Sequence, residues 1–188
     1  MRPLWTQVQD AGLTALAGAF FCPEFFDHMH YWLMKSEPDE VSIDDLAAAP
    51  RQRVPWFGVR NYQARNFMRD AMQLGDLAFF YHSSCAEPGI AGICEVCSEP
   101  YPDETQFSTV NRYFDPKSKS ENPRWWLRDV RFVAKTRLVS LAELRRYPEL
   151  ADMRLLARGN RLSIMPVSEA EWGFITGQVL GLNQELGS

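Results

Sequence analysis

The chain has 188 residues, 46% of them hydrophobic and 23% charged, enough to bury a core without a disulfide or metal framework. Its 20 Lys and Arg against 24 Asp and Glu leave a formal charge of −4, which excludes a protein that coats DNA by overall basicity. A module that grips one base needs only a local basic patch, and an aromatic content of 13% supplies rings for a core and a site alike.

Residues 1–30 set Arg2 against Asp10, Glu24 and Asp27, show no strand alternation, and are read as an N-terminal extension. The apolar run 13–22 lies between acids and has no clean cleavage site, which argues against a signal peptide. No apolar run reaches membrane-spanning length. One domain is expected over 31–182, with a tail over 183–188.

The domain opens on a strand at 31–35 that exits through Ser36-Glu37-Pro38. Ser42 with Asp45 forms a weak capping box for a helix through about Ala48, closed by Pro50. The segment 61–73 reads as a helix, with Phe67, Met68, Ala71 and Met72 as its apolar stripe. Strands follow at 77–81 and 90–98, the second carrying Cys94-x-x-Cys97. Positions three apart on a strand point to opposite faces, so these thiols are not expected to form a metal or redox pair. Without a disulfide framework, a cytoplasmic location fits. Residues 115–123 read as a polar loop, and 125–135 as a long strand with Trp126, Val130, Phe132 and Ala134 on one side. Ser140 with Glu143 starts a helix to about Tyr147, and a short strand spans 162–167. Ser168 with Glu171 starts a last helix whose Trp172, Ile175 and Val179 share a face. Short strands interleaved with short helices give an α+β class, closer to a small barrel than to a doubly wound sheet.

Charge is segregated along the chain. Residues 37–45 hold five acids, and residues 46–69 hold five arginines and no acid. Residues 112–137 carry eight basic residues against three acids, and 153–168 add Arg154, Arg158 and Arg161. Trp56, Tyr62, Trp125 and Trp126 are interleaved with these zones. Arginine among rings suits phosphate contact and base stacking; the same run also reads as a solvated face. Between two helices lies Trp56-Phe57-Gly58-Val59-Arg60-Asn61-Tyr62. Its glycine permits close backbone approach, and Asn61 serves either as a helix cap or as a reader of a base edge.

His82-Ser83-Ser84-Cys85 places a histidine beside three weak nucleophiles, but nucleophile and base come from separate segments in hydrolytic triads. No P-loop, GxGxxG, GxSxG or HExxH occurs. Binding without turnover is therefore expected. Two alternatives stand beside it: an enzyme acting on a nucleotide or modified base with His82 or Glu37 as acid or base, and a protein-interaction module using the aromatic surface.

The stretches YWLMKSEP (31–38), WFGVRNYQARNFMR (56–69), GDLAFFYHSS (75–84), EPGIAG (87–92), YPD (101–103), DPKS (115–118), PRWW (123–126) and RLSIMPVS (161–168) run in order along the chain. As a set they resemble the EVE domain family, PUA-like domains of the thymocyte nuclear protein type, related to YTH domains. The resemblance implies a PUA-like mixed β-barrel with short flanking helices. It implies a reader of a modified base, in DNA or RNA, held in an aromatic cage. It also implies the site: Lys35, Ser36 and Glu37 as one wall, and Trp56, Gly58, Val59, Arg60 and Asn61 as the other. Tyr81, His82 and Ser83 would form a floor or rim, and the later stretches add Arg124, Trp125 and Arg161. A base splayed from a strand, or flipped from a duplex, would stack on Trp56 or Trp125. Ser36 and Asn61 would read its edge, while Arg60, Arg65, Arg124 and Arg161 hold phosphates. No cofactor, metal or membrane contact is implied, and a monomer is expected. Residues 1–30 match nothing in the family.

Overall fold

The computed structural model describes residues 30–182. The expected extension, His30 apart, and the expected tail lie outside the described residues. The elements in chain order are β1 (Tyr31–Ser36), α1 (Ile43–Ala48), β2 (Arg53–Pro55), α2 (Tyr62–Asn66), β3 (Leu77–His82), β4 (Gly89–Val96), β5 (Tyr101–Pro102), β6 (Trp126–Leu127), β7 (Asp129–Ser140), α3 (Leu141–Leu144), β8 (Ile164–Val167) and α4 (Glu169–Phe174). Six strands form one mixed sheet in the order β2-β7-β4-β3-β1-β8, and β5 pairs with β6 separately. Among the described strands only β1 and β3 pair in parallel.

Burial explains the sequence of β1. Alternate residues of a strand face opposite ways, and a strand covered on both faces reads as a continuous apolar run. Tyr31 and Leu33 pack with Leu77, Phe79 and Trp172 on one face. Trp32 and Met34 pack with Ile43, Leu46, Trp56, Met68 and Phe80 on the other. The Trp172 ring lies 4.5 Å from Tyr31 and 4.1 Å from Phe79, stacked on both, which fixes α4 against the first face. Helices α1 and α2 cover the second.

Caps set where the helices start. Ser42 and Asp45 make a full capping box on α1, and Ser168 and Glu171 make one on α4. Asn61 Oδ1 accepts the Gln63 and Ala64 amides and starts α2. Three expectations need correction. The helix over 61–73 is α-helical only through Asn66 and then widens into a π-turn, Phe67–Ala71; Ala71 faces solvent rather than the core. The helix from Ser140 ends at Leu144, not Tyr147, because Tyr147 precedes Pro148 and is pushed to extended backbone. The long strand at 125–135 is divided. Trp126–Leu127 pairs with β5, and β7 begins at Asp129, one residue beyond the buried Arg128. The Arg128 guanidinium donates to Met68 O and Ser98 O at 2.5 and 2.8 Å, and its own carbonyl accepts the Trp56 amide at 2.9 Å. The sheet is also open: β2 and β8 are its edges, with no pairing between them among the described residues.

Candidate functional site

The parallel pair β1 and β3 ends in register at Ser36 and His82, and both strands stop at the same edge of the sheet. Beyond that edge Ser83 donates from its amide and its hydroxyl to Ser36 O, at 2.8 and 3.2 Å. Ser36 Oγ donates to Val41 O at 2.7 Å, folding the 37–41 exit back toward the strand. These bonds leave a cleft of about 350 Å³ between the β1 exit, the loop after β2, and Tyr113. That size falls within the small-ligand range of about 300–1,000 Å³.

Nine of the residues expected at the site line this cleft: Lys35, Ser36, Glu37, Trp56, Gly58, Val59, Arg60, Ser83 and Arg161. Trp56 packs edge-on against Phe80 with ring centroids 5.4 Å apart. Its indole N–H has no hydrogen-bond partner among the described residues, and an edge of the otherwise buried ring lines the cleft. The Lys35 ammonium lies 5.9 Å from the Tyr81 ring, and burial lowers its pKa below the ordinary lysine value. Arg161 is exposed at the rim, with no ion pair or hydrogen bond among the described residues. Two acids share the cleft. Glu37 accepts from the Ser84 hydroxyl at 3.0 Å, and Glu40 accepts from the Tyr113 hydroxyl at 2.6 Å and pairs with Arg112.

Arg60 lines the cleft as a brace rather than as a free phosphate ligand. Its Nε donates to Tyr113 O, its Nη1 to Val59 O and Asp103, and its Nη2 to Thr105 and Tyr113 O. All five guanidinium protons are engaged. Its central carbon lies 5.3 Å from the centroid of the Tyr113 ring and 5.4 Å from that of Trp125. Gly58 has φ +83°, and a Cβ there would meet the Tyr113 ring at 2.7–3.0 Å. Glycine is required because this backbone and that ring share one space.

The remaining expected residues lie away from the cleft. Asn61 spends its side-chain oxygen on the α2 cap. Tyr81 is buried behind Lys35. His82 Nε2 accepts the Ile43 amide at 3.1 Å, so the histidine faces the start of α1. Trp125 is buried, stacked under Tyr62 at 5.0 Å, with its indole N–H on Asp115 at 2.7 Å; it offers a base no face. Arg65 bonds to the Arg124 carbonyl, and Arg124 pairs with Asp115 at 3.1 Å and bonds to the Tyr62 hydroxyl.

The residue that organises the cleft from behind is Asp103, which the sequence reading placed in a family stretch without a role. Buried, it accepts the Gly58 amide at 2.9 Å, Arg60 Nη1 at 2.8 Å, and the Thr105 amide and hydroxyl at 2.9 and 2.5 Å. Burial pushes its pKa up, but the bonds from Thr105, Arg60 and Gly58 outweigh burial and leave it below the ordinary carboxylate value. Tyr113, Glu40, Val41, Val54, Pro55 and Ser163 also line the cleft without having been singled out, and so do Phe57 and Ser84, which the sequence motifs contain. Tyr113 had one signal, its place in the basic zone from residue 112.

Cys94 is buried, its thiol against Ala78 O at 3.7 Å, and burial raises its pKa; Cys97 lies past the end of β4, half-buried. No three His, Cys, Asp or Glu side chains among the described residues converge as a metal site would require. No helix among them is long and apolar enough to cross a membrane.

Known proteins are similar to this chain in sequence and shape. The chain matches the EVE domain family over residues 30–178. Human thymocyte nuclear protein 1 is 48% identical over 163 residues, which span 77% of this chain and 72% of that protein. A crystal structure from Pseudomonas putida superposes with a TM-score of 0.75 at 45% identity, covering 81% of this chain and 99% of that one. The structure of human THYN1 in complex with DNA containing 5-methylcytosine superposes with a TM-score of 0.74 at 48% identity, covering 82% of this chain and 98% of that one.

Proposed function

The chain belongs to the EVE domain family, with a PUA-like α+β fold, and on that premise we propose that it binds DNA by taking a modified nucleobase into the cleft between the β1 exit and the loop after β2. The observation that carries this reading is the set of groups the fold leaves open there. Tyr113 supplies ring surface and the buried Trp56 reaches the cleft with one edge; among the described residues the Trp56 indole N–H has no hydrogen-bond partner, and Lys35 and Arg161 are cations without an acidic partner. The human relative solved with 5-methylcytosine DNA supports DNA as the nucleic acid and a modified base as the feature read.

In this reading a base leaves its stack at a cost of a few kcal/mol. Contact with the rings returns about 1–3 kcal/mol. The Trp56 N–H donates to the edge of the base, and Lys35 and Arg161 meet the flanking phosphates. The ion pair of buried Asp103 with half-buried Arg60 keeps Gly58 and Tyr113 in place, so the walls are set before the ligand arrives. Binding carries no turnover. His82 is turned to α1, and the cleft hydroxyls of Ser36, Ser83 and Ser84 donate to carbonyl or carboxylate oxygens rather than to a base nitrogen.

The test is binding, at stated salt, to oligonucleotides that differ only in one modified base, in DNA and in RNA. Preference for a modified DNA oligonucleotide supports the reading. Preference for RNA, or equal binding to every member, contradicts it. A change in oligonucleotide mass after incubation would contradict the absence of turnover.

A further inference from the structure

Beside the cleft stands a turn, 108–111, to which the reading above gives no task. The Asn111 amide donates to Ser108 O at 3.0 Å and closes the turn around Thr109 and Val110. Asn111 Oδ1 accepts the Tyr113 amide at 2.9 Å, and the Phe114 amide donates to Asn111 O at 3.0 Å. The turn and the Tyr113 wall are therefore one hydrogen-bonded piece. Arg112, between them, is tied to Glu40 on the β1 exit. Val110 is three residues from Tyr113, so its Cα lies within about 11 Å of the wall of the cleft.

Val110 is 94% exposed, more than any other large hydrophobic side chain among the described residues. Its chemistry is wrong for a solvated turn. Turns favour Gly, Asn, Asp and Ser, which bond locally or adopt turn backbone freely. A β-branched apolar side chain does neither, and gains nothing from water. What it has is stiffness about χ1. A short, rigid, apolar tip on a preorganised turn is the form of a wedge. Proteins that deform DNA insert apolar side chains between base steps, where unstacking costs a few kcal/mol per step.

We propose that Val110 is a wedge: when the cleft takes a modified base out of a DNA duplex, Val110 enters the space the base vacates and packs against the flanking pairs. This rests on the modified-base reading and deepens it, because it assigns duplex DNA, not a single strand, as the substrate class.

The experiment compares wild type, Val110→Gly and Val110→Leu on two probes. One is a duplex with a single 5-methylcytosine next to 2-aminopurine; the other is the same modified strand alone. Val110 touches no core, so the variants fold as wild type does. Val110→Gly is expected to bind the duplex about tenfold more weakly and to lose the 2-aminopurine fluorescence rise, since the unstacked step goes unsupported. Its affinity for the single strand should stay unchanged, and Val110→Leu should keep duplex binding. Unchanged duplex affinity in Val110→Gly, or equal loss on both probes, overturns the wedge. Wild type that binds both modified probes no better than unmodified ones overturns the underlying reading instead, and is seen before any variant is made.

Discussion

One carboxylate oxygen of Asp103 accepts the Arg60 guanidinium at 2.8 Å and the Gly58 amide at 2.9 Å. A wall of the cleft is thereby bound to a charge pair of buried Asp103 and half-buried Arg60, whose partners are 43 residues apart in sequence.

Removing that carboxylate leaves Arg60 half-buried without its counter-charge. Asp103→Ala is expected to cost about 3–5 kcal/mol of unfolding free energy, read from urea denaturation. The pH dependence follows from the lowered pKa of Asp103. A carboxyl held lower in the folded chain than in the unfolded one adds stability that is complete above the unfolded value, about 3.9. That stability is lost as pH falls through the folded value. Between about pH 6 and about pH 2.5 the urea midpoint should therefore fall less steeply in Asp103→Asn than in wild type.

Gly58→Ala puts a methyl group where the Tyr113 ring lies and asks alanine to hold φ +83°. Left-handed backbone strain alone is worth about 1–3 kcal/mol. The variant should be destabilised by at least that amount, and a displaced Tyr113 should weaken binding of the modified oligonucleotide.

Arg161 and Arg60 are expected to part company. Arg161→Ala should leave the Tm unchanged, weaken DNA binding regardless of sequence, and reduce the slope of log affinity against log salt by about one. Arg60→Ala should lower the Tm, because the five bonds it makes are internal. Fluorescence anisotropy over a salt series and thermal melts separate the two.

How far the sequence could be read followed the range of the interactions. The Ser42, Asn61 and Ser168 caps are local and legible, because donor and acceptor lie within three residues. The Lys35-Ser36 exit was legible because Pro38 follows it. Arg60 was read as a free cation, and nothing near it in sequence betrays Asp103 and Tyr113, which capture it from 43 and 53 residues away. Sequence does not separate Trp125 from a stacking platform, because an exposed ring and a ring buried beneath Tyr62 have the same local pattern. The break at Arg128 was invisible for the same reason: its guanidinium partners are on segments 30 and 60 residues distant. The resemblance to the family carried the ordered stretches. It did not tell which of their side chains face the cleft and which support it.

The central claim, that the cleft takes a modified base, is tested most directly by the affinity difference between modified and unmodified oligonucleotides in wild type and in Trp56→Phe. Phenylalanine keeps a ring against Phe80 and removes the indole N–H that has no hydrogen-bond partner among the described residues. Wild type should bind at least one modified DNA, with 5-methylcytosine as the first probe, about tenfold more tightly than its unmodified counterpart, a difference of about 1.4 kcal/mol. Trp56→Phe, folded by thermal melt, should lose most of that margin. Equal affinity for modified and unmodified DNA in wild type, or an undiminished margin in Trp56→Phe, would contradict the account.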